Sequence, residues 1–307
     1  MKRFLPIILL LIISLAWGAS FSVRFEALKA YSDTQVALFQ IFGAGIFFLP
    51  LMWKTAKKLS RENFPILFLS GFLGNVLTSV FYALAQSRTD VSVTSILSAL
   101  GPIVVFIEGI LIYKQRFSLS ALLALLLGLL GVCILIFGDS IAFNIDPFSL
   151  SFQESLSFQN TSLLGIFYVL MAVIAGSSNI VLIGYAMPKL SGTEIATITF
   201  MIFGPIAFVF LLGTNFSSAL ESEAFAHSSW MLVLLAFITF IGTVGFNELI
   251  KRSSPLLASL STYLILFIGV AMGVFLTGSE FEWKHFWSII CIFIGVYWIN
   301  KPQVSNS

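Results

Sequence analysis

Along this chain apolar residues run on for about 20 positions at a time, the length an α-helix needs to cross roughly 30 Å of hydrocarbon. Each run then stops at a short charged, polar or turn-rich break. Five runs occupy the first half: Phe4 to Val23, Val36 to Trp53, Phe64 to Gln86, Ser92 to Tyr113, and Leu119 to Gly138. Five more fill the second: Leu163 to Gly184, Ile195 to Leu212, Trp230 to Ile250, Pro255 to Thr277, and Phe281 to Asn300. Lipid offers the backbone no hydrogen-bond partners, and the runs are too long and too uniformly apolar for barrel strands. The pattern therefore predicts an all-α membrane protein with ten transmembrane helices.

Composition agrees. Of 307 residues 58% are hydrophobic and 10% charged, against roughly 25% charged in a soluble domain. Net charge is +2, and the basic residues sit in clusters beside the apolar runs, so nothing favours nucleic acid as a partner. The clusters report topology instead. With the N-terminus in the cytoplasm, only Arg24, Lys29, Arg88 and Lys284 of the 16 basic residues fall outside, where ten of the 14 acids also lie. That is the asymmetry of short cytoplasmic loops, and it predicts a multi-pass protein of the cell (inner) membrane with both termini cytoplasmic. The longest loop, Asp139 to Ser162, is external and polar. Lys2, Arg3 and Ala16-Trp17-Gly18 loosely resemble a signal peptide, but the expectation is that the first run stays as a packed span. Cys133 and Cys291 lie inside apolar runs and act as small hydrophobes, so neither a disulfide, a metal nor a cofactor is expected.

The halves repeat. Tyr31-Ser32-Asp33-Thr34-Gln35-Val36-Ala37 lines up with Leu190-Ser191-Gly192-Thr193-Glu194-Ile195-Ala196, and Gly131-Val132 with Gly295-Val296. Residues 1–158 and 159–307 thus form two five-helix units, and because five is odd the second must insert upside down relative to the first. Inverted repeats recur in secondary transporters, where substrate sits between the halves.

Several short motifs carry a family resemblance: Leu15-Ala16-Trp17-Gly18-Ala19-Ser20-Phe21, Gly71-Phe72-Leu73-Gly74-Asn75 with Phe81-Tyr82-Ala83-Leu84, Ser98-Ala99-Leu100-Gly101-Pro102, and Ser254-Pro255-Leu256-Leu257-Ala258-Ser259-Leu260. Together they resemble the EamA family of the drug/metabolite transporter superfamily, over nearly the whole chain. The resemblance implies ten spans as two inverted five-helix repeats, with the first, third, fourth, sixth, eighth and ninth spans lining a central cavity. Two departures stand out. Gln40 occupies a position where many members carry arginine, and Lys114-Gln115-Arg116 replaces the usual Gly-Glu-Arg.

Glu108 is the sharpest candidate, because a carboxylate inside a span costs roughly 2.5–3.5 kcal/mol on insertion scales. It is read as a substrate contact or proton-coupling site, with a structural pair to Lys114 or another inner-loop base, or snorkelling, as the alternative. Trp17, Ser20, Asn75, Tyr82, Ser98, Asn179, Asn247 and Tyr263 are the candidate cavity residues, since the resemblance places their spans around the cavity; each is also able to serve as a helix-to-helix hydrogen bond or packing group. Glu248 reads as an interfacial ion pair with Lys251 or Arg252, and Glu194 as a charge at a helix start. Trp53, Trp230 and Trp283 read as interface anchors. The glycine pairs Gly71/Gly74, Gly128/Gly131 and Gly269/Gly273 read as close-packing faces, and Gly101-Pro102 as a break or bend in the fourth span.

No G-x-x-x-x-G-K-[ST] loop and no H-E-x-x-H run is present, and His227 and His285 both fall at the outer side, so an enzyme is not expected. The reading is a secondary transporter of a small organic metabolite, an amino acid or related compound moved outward by alternating access. The partners are that solute and membrane lipid, as a monomer or a homodimer. Uptake or exchange of a nucleoside-linked metabolite is the alternative within the superfamily, and a scaffold or receptor without flux the alternative outside it.

Overall fold

The computed structural model describes residues 5–86, 88, 97–141, 162–268 and 283–300. Outside them lie the starts of the first and fourth runs, most of the external loop with the boundary at 158, the end of the ninth run with Gly269/Gly273, and the last residues of the chain. The described residues are mostly helical, with no strand among them. The helices are α1 (Leu5–Ala27), α2 (Asp33–Thr55), α3 (Phe64–Gly71), α4 (Thr78–Gln86), α5 (Gly101–Tyr113) and α6 (Leu119–Ile141). The second half contributes α7 (Leu163–Val181), α8 (Gly192–Leu212), α9 (Phe225–Arg252), α10 (Pro255–Ile268) and α11 (Trp283–Asn300). A π-helical turn, Phe72–Leu77, joins α3 to α4, and another, Leu182–Ala186, ends α7.

Five described helices are long and apolar enough to cross a membrane: Asp33–Lys58, Phe64–Tyr82, Leu163–Ala186, Gly192–Leu212 and Phe225–Arg252. Five shorter apolar helices, of 10–17 residues, fall within the other five runs. Their surfaces are those of a protein solvated by lipid. Leu49, Leu111, Leu163 and Val209 are all exposed, whereas Ser14, Ser70, Ser177, Thr197, Thr239 and Ser261 are buried. Trp53 and Trp230 lie exposed at helix ends, as interfacial anchors do.

Packing follows a regular scheme. Counting the ten apolar segments in order, the first packs on the eighth (α1 on α9), the third on the sixth (α4 on α7), the second on the seventh (α2 on α8), the fourth on the ninth (α5 on α10) and the fifth on the tenth (α6 on α11). Exchanging every segment of one half for its counterpart five places on maps these five pairings onto themselves; the fourth segment also packs on the sixth (α5 on α7). The repeat read at 31–37 and 190–196 is also a repeat of local structure. The Ser32 hydroxyl accepts from the Gln35 N–H and Ser191 from the Glu194 N–H, while each residue-three side chain accepts from the serine's own N–H, so both helices begin with a capping box. Glu194 thus has a capping role.

Small residues set the close approaches. A Cβ on Gly71 would strike the Phe203 ring, one on Gly128 the Tyr263 ring, and one on Gly131 the Ser288 carbonyl, as the small-face reading of the first two pairs expected. Gly101-Pro102 starts α5 with proline at its first turn rather than bending a continuous helix. At the other end of α5, Lys114 adopts the left-handed conformation, φ 52° and ψ 35°, and the Gln115 N–H donates to the Gly109 carbonyl at 3.0 Å. A side chain costs about 1–2 kcal/mol in that conformation, and glycine escapes the cost. Lys114→Gly is therefore expected to stabilise the chain by about 1 kcal/mol and to raise the melting temperature in detergent by roughly 2 °C or more. A melting temperature at or below wild type would contradict it.

Candidate functional site

A cavity of about 150 Å³ opens where α1, α2, the first π-turn, α4, α8 and α9 meet. Its polar lining comes from Gln40, Asn75, Ser79, Thr239 and Thr243, and its apolar walls from Trp17, Ile41 and Phe200. Local structure explains why each group faces inward. Asn75 and Ser79 are four residues apart, as are Thr239 and Thr243, so each pair shares one helix face. Asn75 lies in the π-turn, a widened turn that such sites often use; the Thr78 hydroxyl donates to the Leu73 carbonyl at 2.8 Å beside it. The Trp17 ring lies so close to α9 that a Cβ on Gly242 would run into its indole nitrogen, and it meets Phe246 at 4.9 Å between centroids.

One chain of hydrogen bonds frames the cavity. Arg24 donates to Gln40 Oε1 at 2.6 Å, Gln40 Nε2 donates to Thr239 Oγ1 at 2.8 Å, and Thr239 donates to the Leu235 carbonyl at 2.8 Å. The Gln40 amide is thereby held in one orientation, because its oxygen faces a cation and its nitrogen a hydroxyl.

Glu108 occupies a second place, on α5 against α7. Ser178 donates to its Oε1 at 2.7 Å, while Oε2 is enclosed and has no hydrogen-bond partner. No ion pair among the described residues involves Glu108 or Lys114, so the structural pair considered from sequence is not formed there. Tyr113 and Tyr185 meet nearby at a tilt, with centroids 5.0 Å apart, and the Tyr185 ring borders Gly109. A buried carboxylate oxygen without a donor is costly and is chemically ready for a proton or a cationic group. A larger recess, about 250 Å³, lies between α5 and α6 but is lined by Ile103, Phe106, Ile107, Ile110 and other apolar side chains. It offers no polar contact.

The other sequence candidates are dispersed. Ser20 donates to the Trp17 carbonyl of its own helix at 2.6 Å. Asn179 accepts from Ser70 at 2.6 Å and packs on Gly74, joining α7 to the third segment. Tyr82 and Ser98 share a hydrogen bond of 3.0 Å beside an apolar cluster of Ala85, Val169 and Val173. Asn247 is buried on α9 where Gly192 meets its backbone. Tyr263 is fully buried, with its ring on Gly128 and its hydroxyl donating to the Leu125 carbonyl at 3.2 Å. Of the nine, the cavity collects Trp17 and Asn75. Glu248 accepts from the Thr193 N–H and hydroxyl, both at 2.9 Å, and from Arg252 at 2.8 Å, so it ties α9 to the start of α8 as well as forming the expected ion pair.

Sequence reasoning passed over Ser79, Thr239 and Thr243 as site residues and treated Arg24 as a loop charge. Polar pairs four apart inside apolar runs were the available signal.

Against known proteins, the model of the EamA-like transporter family matches residues 4–137 and again residues 163–301. The uncharacterized transporter YdfC of Bacillus subtilis (strain 168) is 27% identical over 123 residues, 40% of each chain. This chain thus matches about 40% of that relative's length. A protein of solved crystal structure is similar over 95% of both chains, with a TM-score of 0.72 at 14% identity, a likeness of fold. With two matched copies that between them span most of its length, this multi-pass membrane chain belongs to the EamA-like transporter family.

Proposed function

We propose that the chain is a secondary transporter of a small organic metabolite, an amino acid or related compound, which it exports by alternating access. In this reading ten spans form two oppositely oriented halves, 1–158 and 159–307, in the cell membrane with both termini cytoplasmic. The observation that carries it is a polar cavity enclosed by helices of both halves inside a body whose outer surface is apolar. The five pairings that map onto themselves when the halves are exchanged support the inverted arrangement. The cavity's 150 Å³ is below the ~300–1,000 Å³ of organic-ligand sites. Binding therefore requires the surrounding helices to part, as rocking halves do. A nucleoside-linked solute demands a wider opening still. Glu108 serves as a cation contact or proton-coupling group, and Trp17 and Asn75 as cavity contacts. Ser20, Tyr82, Ser98, Asn179, Asn247 and Tyr263 act from positions outside the cavity lining on the shape of the pathway.

The test is flux in proteoliposomes of purified full-length chain, with a panel of radiolabelled amino acids and related metabolites, with and without an imposed pH gradient. At least one solute is expected to move faster than into protein-free liposomes. If none moves, the chain is a scaffold or receptor and this reading fails.

A further inference from the structure

Arg24 is a cation with no anion at ion-pair distance among the described residues. Asp33, at the start of α2, is near enough to act on it electrostatically but does not reach ion-pair distance. Its hydrogen bond is to a neutral amide oxygen, that of Gln40. A guanidinium has five N–H donors in a planar fork that matches a carboxylate. None of the Arg24 nitrogens is among the enclosed polar atoms that lack partners, so the N–H groups beyond the Gln40 bond are not completely sealed, although the side chain is partly buried. A strut between α1 and α2 needs only a neutral donor, whereas a charge set among helices without a counter-ion in contact is costly.

The placement adds a second reason. Gln40 lines the cavity and Arg24 stands directly behind its amide. On α1, Arg24 is seven residues from Trp17, two turns or about 10 Å along the same helix face. The cavity thus has an apolar wall at Trp17, Ile41 and Phe200, while Arg24 is not itself part of the lining and stands one side chain back, behind Gln40.

Building on the transport reading, we propose that Arg24 binds the carboxylate of the solute, with Gln40 as the residue that positions the guanidinium and Trp17 packing against the solute's apolar part. The site selects organic acids and zwitterions over their uncharged analogues.

Matched probes test this: L-leucine, L-phenylalanine, butyrate and phenylacetate, each beside its primary amide, against the purified full-length chain. Binding is read by thermal shift, and transport by flux of the labelled acids and amides in proteoliposomes. At least one acid is expected to raise the melting temperature of wild type while its amide does not. Arg24→Gln is expected to weaken that acid's binding by at least about tenfold, as for loss of a charge-assisted contact, and Arg24→Lys to retain part of it. Because Arg24→Gln also loosens the α1–α2 bond, Gln40→Glu provides an independent arm. It gives Arg24 an internal carboxylate, so the chain is expected to melt no lower than wild type yet lose acid binding to the same extent. Equal protection by acid and amide, no protection by any acid, or unaltered acid binding in Gln40→Glu overturns the proposal. Flux of amides alone would sink the carboxylate site and leave transport standing. Acid binding that depends on Arg24 without any flux would do the reverse.

Discussion

Replacing Glu108 with glutamine is expected to leave a folded protein whose flux falls roughly tenfold to a hundredfold and no longer responds to a pH gradient. Glutamine has nearly the same shape, and its carbonyl oxygen keeps the acceptor that Ser178 uses at 2.7 Å. What it removes is the second carboxylate oxygen, which is enclosed and has no partner, and with it the ability to take up or release a proton. A contact to a charged group contributes about 1.5–3 kcal/mol, and each 1.4 kcal/mol is about a factor of ten, which sets the size of the effect. Ser178→Ala provides the contrast. It takes away a bond to Oε1 and leaves the carboxylate titratable, so it is expected to slow flux while keeping the response to pH. Both are measured as initial rates in proteoliposomes, normalised to inserted protein. Unchanged rates and an unchanged pH response in Glu108→Gln would make Glu108 a structural group.

The second large effect is on stability. Gly192→Ala is expected to lower the melting temperature by on the order of 10 °C and to cut the yield of monodisperse protein. Gly192 is the first residue of α8, and a Cβ there would overlap the backbone of Asn247 and Glu248 on α9. Backbone at a helix contact cannot rotate out of the way, so the helices must separate. Overpacking costs about 1–3 kcal/mol. The same displacement pulls Thr193 from Glu248, breaking two hydrogen bonds to a carboxylate worth about 1.5–3 kcal/mol each. At roughly 2–4 °C per kcal/mol, the sum reaches the stated shift. Gly176→Ala on α7 is the control, since its Cβ would meet only Thr78 at 3.5 Å or more. A Gly192→Ala protein that melts with the control would show that the α8–α9 contact has slack.

Hydrophobic patterning alone located ten apolar segments, and described helices fall in all ten. Five of those helices are long enough to span a membrane as described. The reason for this success is that lipid imposes one local rule, a run of apolar residues closed on its own hydrogen bonds, which is written in consecutive positions. The candidate site was less legible. Trp17 and Asn75 face the cavity, but Tyr263, equally plausible as an aromatic in a span, has its hydroxyl committed to the Leu125 carbonyl. Nothing in the string around Tyr263 distinguishes a ring that packs on Gly128 from one that faces a solute. Arg24 was assigned to an outer loop because it follows an apolar run, yet α1 continues to Ala27 and carries the guanidinium onto Gln40.

Residues 31–37 and 190–196 mark the division. By itself the sequence determined that both stretches lie at the start of a span, that they resemble each other, and that the helices they open are apolar. Those properties depend on neighbours within a turn or two. Only the tertiary structure decided that Asp33 of one copy is exposed while Gly192 of the other bears on the backbone of α9, that Glu108 meets a serine rather than a lysine, and that Arg24 stands behind a cavity. These depend on which helix lies opposite. That choice is made by side chains far apart in the chain, so no local reading of residues contains it.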